Sequence, residues 1–125
     1  MKGIAFWFLV TSVVAALAGM AYGIRMSITG DHTLSPAHGH LNLLGFVAMA
    51  VFGFYYVATP AAATGLLPKL HLAGGLFTTV VIFPAISLAI LEKGETLAKV
   101  GSLVAIATMA LFLVIVLKNG LGTAD

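Results

Sequence analysis

The chain of 125 residues contains no cysteine, and Lys, Arg, Asp and Glu together make up only 8% of it. Without cysteine there is no disulfide, no thiolate metal site and no thiol nucleophile, and cysteine usage says nothing of the redox compartment. The four acidic residues fall in loops or in the tail, so paired catalytic carboxylates and a mid-membrane carboxylate relay are both missing. No glycine-rich loop ends in Lys followed by Ser or Thr, and no serine triad signature is present. Independent catalysis is therefore not expected. The net charge of +2 is scattered without a basic run, which excludes the usual footprint of a nucleic-acid binder.

What the chain has in excess is apolar sequence: 61% of its residues are hydrophobic. A soluble domain of this length needs far more charge to cover its surface, so the solvent is a lipid bilayer. The hydropathy is divided into four runs, each near the ~20 residues that cross ~30 Å of hydrocarbon as a helix. The expected spans are 4–28, 36–59, 69–91 and 96–117, with polar or proline-marked breaks at Thr29 to Ser35, Pro60 to Pro68 and Glu92 to Glu95. Ser35 and Pro36 read as the cap and first-turn proline of the second span, and Pro84 as a kink in the third. Lys2 before an apolar run imitates a signal peptide, but Trp7 and the Arg25-Met26 end of the run fit a retained helix.

Short connections make consecutive helices antiparallel neighbours, so the expected fold is all-α: a single four-helix transmembrane bundle, up-down-up-down. Small residues mark its packing faces, Ala15, Gly19 and Gly23 on the first helix and Ala98, Gly101, Ala105 and Thr108 on the fourth. Faces of that kind also suit assembly as a homo-oligomer. Lys2, Lys69 and Lys118 on the terminal side balance Arg25, Lys93 and Lys99 on the other, so charge alone leaves the orientation open. Asp31, Glu92 and Glu95 share the second side, which is taken as external.

The chemistry-bearing stretch runs from Pro36 to Phe46 and places His38, His40 and Asn42 in the opening turns of the second helix. Ionisable groups are costly in hydrocarbon and default to a functional role there, and imidazole is a common ligand of metals and haem iron. At about 100° per residue the two histidines project about 200° apart, so one chain cannot aim both at one site. His38 shares a face with Asn42, Gly45, Met49, Gly53 and Tyr56, a stripe suited to the bundle interior. His40 shares a face with Leu44, Val47, Val51 and Phe54, an apolar wall suited to lipid, a partner subunit or a porphyrin. His32 in the loop is expected to be solvated, His71 to be an interfacial residue, and Tyr55 and Tyr56 to be interfacial aromatics.

The run His40-Leu-Asn-Leu-Leu44, followed by Phe52-Gly-Phe54, resembles the second helix of the large subunit of nitric oxide reductases and related haem-copper oxidases. The resemblance implies that His40 is an axial ligand of haem b near the external face; in a second register, a His-Gly pair would put that ligand at His38. It implies termini in the cytoplasm and a place in the inner membrane. It covers one helix of four, and the helices that carry the family's other haem ligand and catalytic metal ligands have no counterpart here. What it implies is thus a small stand-alone relative for electron transfer or redox or gas sensing, with a respiratory electron-transfer partner.

A second axial ligand would come from Met20 or Met26 of the first helix, from the other histidine, or from His40 of another copy. Arg25 could neutralise a haem propionate. Two other readings remain open at this point: a copper or zinc site built from His32, His38, His40, Met20 and Met26, and a cofactor-free structural or assembly subunit of a respiratory complex.

Overall fold

A computed structural model describes residues 2–123 and contains four helices, each long and apolar enough to cross a membrane. They are α1 (Ile4–Thr29), α2 (Ser35–Ala58), α3 (Leu66–Ile90) and α4 (Thr96–Asn119). A short 3-10 turn, Pro60–Ala63, lies between α2 and α3. α1 packs along α2, α4 along α3, and α2 against α3, with a smaller contact between α1 and α3, in up-down-up-down order. α2 is the most buried of the four.

The expected spans hold to within three residues, and the differences have local causes. α1 stops where Gly30 takes φ 70°, a left-handed conformation, and its amide closes the helix on the Met26 carbonyl at 2.9 Å. Ser35 does not cap α2: the capping position is Leu34, no side chain bonds the free amides, and Ser35 already lies in the first turn with Pro36. α3 starts at Leu66 rather than Lys69, because Pro68 falls in the first turn, where an amide has no helical acceptor to lose. It then continues through Pro84 to Ile90. The turn before α4 is made by Glu92 at φ 57° and Gly94 at φ 129°.

α2 is not uniformly α-helical. Leu41–Val47 forms a π-helical turn. The wider turn changes the facing of the residues that follow it, and Leu41 and Gly45 are its buried residues. It also corrects the face assigned to His40: Leu44 is half-buried, and Leu43 takes its place among the exposed residues with Val47, Val51 and Phe54. Inside this turn the Ser12 hydroxyl donates to the Phe46 carbonyl at 2.8 Å, tying α1 to α2.

The small-residue faces pack as expected. A side chain at Gly19 would meet the Asn42 amide, at Gly23 the His38 ring, and at Gly74 the hydroxyl of Thr108 on α4. The core is divided in two. Near the termini Phe8, Met49, Phe52, Tyr55, Tyr56 and Ile115 form one cluster; in the opposite half Ala15, Leu41 and Ile82 form a smaller one.

Candidate functional site

His38 and His40 both lie in the α-helical opening of α2, before the π turn, so their separation onto different faces survives. The His38 ring is half-buried against Gly23 of α1, 6.3 Å from the Tyr22 ring centre to centre. Asn42, one turn on, donates from Nδ2 to His38 Nε2 at 3.2 Å. With Nε2 accepting, the proton of the neutral ring sits on Nδ1, which is buried without a partner. Neither nitrogen of His38 offers a lone pair outside the bundle.

His40 is the converse. Its side chain is exposed, and Nδ1 lies 2.7 Å from the Pro36 carbonyl oxygen. A carbonyl can only accept, so Nδ1 carries the proton and Nε2 keeps its lone pair on the outward, apolar face of α2. A backbone carbonyl on one nitrogen fixes the tautomer and ring orientation of an imidazole and raises the basicity of the other nitrogen, as in metal-ligating histidines.

The remaining sequence-derived candidates do not gather around one point. Met20 is 65% exposed whereas Met26 is 6% exposed, so the two methionines of α1 lie on different faces. Arg25 lines a cavity of about 290 Å³ with Tyr22, Met26, Asp31, Thr33 and Leu91. His32 is exposed, and its Nδ1 bonds the Gly30 carbonyl at 3.2 Å. Among the described residues no three His, Asp or Glu side chains converge as a metal ion would require. Asp31 accepts from the Thr33 hydroxyl at 2.6 Å and the Thr33 amide at 3.0 Å. Those two bonds, the hydroxyl first, hold its carboxyl below the usual range, with smaller attractions from His32 and Arg25.

A second polar centre lies at the other end of the bundle, where the sequence predicts interfacial residues. His71, in the early turns of α3, is fully buried in the bundle, and Tyr55 and Tyr56, in the last turn of α2, are buried with it. The Tyr56 hydroxyl and His71 Nδ1 are 2.8 Å apart, while Nε2 has no partner. Around the imidazole, the rings of Phe52, Phe8 and Phe112 have centres 4.3, 4.9 and 5.2 Å away. Tyr55 donates to the Gly120 carbonyl at 2.6 Å, and Thr59 Oγ1 accepts from the Gly122 amide at 2.8 Å, holding the segment 120–122 against the end of α2. One signal in the sequence could have found the pair: two antiparallel helices joined by a short connection bring the last turn of one beside the first turns of the next. Tyr56→Phe leaves the imidazole without its remaining polar partner, at an expected cost of about 1–3 kcal/mol. Thermal unfolding in detergent measures it, and an unchanged melting temperature would remove the bond from the account.

Compared with protein families, with curated proteins and with solved structures, the chain matches none.

Proposed function

We propose that this is a b-type haem protein of the inner membrane in which His40 supplies an axial ligand at an interface between two copies of the chain, for electron transfer or redox or gas sensing. The single observation that supports it best is the His40 Nδ1 bond to the Pro36 carbonyl at 2.7 Å, which presents Nε2 as a free donor on an exposed side chain. The helix surface next to that nitrogen suits a porphyrin: Leu43 and Val47, about one and two turns on, are exposed and apolar. Bound haem would supply one-electron chemistry. The chain itself holds the imidazole in one tautomer and offers an apolar wall. His40 of a second copy is the natural second donor, since His38 has both nitrogens inside the bundle and Met26 is buried.

The absorption spectrum of protein purified from haem-sufficient cells tests this. The expected result is a Soret band at one haem per two chains, lost in His40→Ala and kept in His38→Ala. One haem per chain would point instead to Met20, the exposed methionine of α1, as second ligand. A colourless wild type after haem addition, or a full band in His40→Ala, overturns the reading.

A further inference from the structure

We propose that the cavity between the last turns of α1 and the α1–α2 loop binds the head group of a zwitterionic phospholipid with a primary amine, Arg25 on its phosphate and Asp31 on its ammonium. The proposal is independent of His40.

The position comes first. α1 has 26 residues, and at about 1.5 Å per residue it spans about 39 Å, more than the ~30 Å of hydrocarbon, so its last turns reach the head-group layer. The cavity there measures about 290 Å³. That is at the lower limit of small-molecule pockets, near 300 Å³, and suits a head group rather than a whole lipid. Its walls divide by polarity, with Met26, Leu34 and Leu91 apolar and Arg25, Asp31 and Thr33 polar.

The charges decide the ligand class. An arginine at this level is ordinary, because long cationic side chains reach toward lipid phosphates. A carboxylate lining the same cavity is not, because it repels those phosphates unless a cation lies between them. The two side chains attract each other but are not in contact: among the described residues the ion pair formed is Lys99–Glu95. Thr33 occupies only Oδ1 of Asp31, so Oδ2 remains available to a donor. A phosphate joined to a primary ammonium satisfies both groups together. A quaternary ammonium has no N–H to give the carboxylate, and a glycerol head group has no cation.

Native mass spectrometry of the delipidated full chain with phosphatidylethanolamine, phosphatidylcholine or phosphatidylglycerol tests the site. Phosphatidylethanolamine is expected to be retained about tenfold more strongly than the other two. Asp31→Asn should erase that preference, Asp31→Glu should restore most of it, and Arg25→Gln should weaken all three lipids. Both side chains are exposed, so the variants should keep the wild-type melting temperature. Equal retention of the three lipids by the wild type, or a preference unchanged in Asp31→Asn, overturns the proposal. So does displacement of the lipid by millimolar inorganic phosphate, which would make this a site for free phosphate.

Discussion

Gly45→Leu should melt far below the wild type in detergent, with a loss of about 3 kcal/mol or more, at or above the upper end of ordinary overpacking. Gly45 lies in the π turn of α2, where three helices meet. A β-carbon there would already stand 2.9 Å from the Ala15 β-carbon of α1 and 3.1 Å from Thr79 Cγ2 of α3. Neither neighbour can swing aside. The Ala15 methyl is attached directly to its backbone, and the Thr79 hydroxyl donates to the Gly75 carbonyl at 2.8 Å, which holds its methyl toward α2. A leucine must therefore push α2 away from α1 and α3, taking the Ser12 bond to Phe46 with it. Gly39→Ala is the control: nothing lies within 4 Å of a β-carbon there, and alanine is the better helix former by about 1 kcal/mol. It should melt at or slightly above the wild type. If Gly45→Leu matched it, the close approach of the three helices would be wrong.

Phe8→Ala should lower stability by about 3 kcal/mol. Phe8 is fully buried, stacked on Tyr56 at 5.4 Å and near Phe52 and His71 at 5.8 and 4.9 Å. In water such a truncation costs about 3–5 kcal/mol, part of it the lost transfer of the ring out of solvent. Lipid is as apolar as the core, so that part shrinks here and the cavity and lost dispersion remain. Phe6→Ala, away from that stack on a half-buried position, should cost much less. Thermal unfolding of the two variants side by side checks the difference. Equal losses would mean that the aromatic cluster does not hold this end of the bundle together.

Much of the fold is legible in the order of the amino acids. The number of spans and their antiparallel order follow from hydropathy and short connections, because a helix in lipid must be long, apolar and internally hydrogen-bonded. Gly19 and Gly23 read as a contact face, because backbones approach closely only where side chains are small. The separation of His38 from His40 is readable too, since residues two apart along an α-helix project to different sides.

The inside of the bundle is not legible to the same degree. In a soluble helix the exposed face is polar and betrays the buried one; here both faces are apolar, and Leu17, Val51 and Phe54 are as hydrophobic on the outside as Phe8, Met49 and Phe52 are within. That is why the burial of His71, Tyr55 and Tyr56 within the bundle is not legible in the sequence, and why the π turn at Leu41–Val47 leaves no mark on the hydropathy. The sequence by itself determined four antiparallel membrane helices and two histidines on different faces. Only the tertiary structure decided which imidazole keeps an open nitrogen: Asn42 and Gly23 enclose His38, while a bond to Pro36 leaves Nε2 of His40 facing outward. The reason is that the bonds to Asn42 and Pro36 are one turn away within α2, whereas which ring is covered depends on α1, whose Gly23 lies against His38 alone, and no pattern along α2 records that.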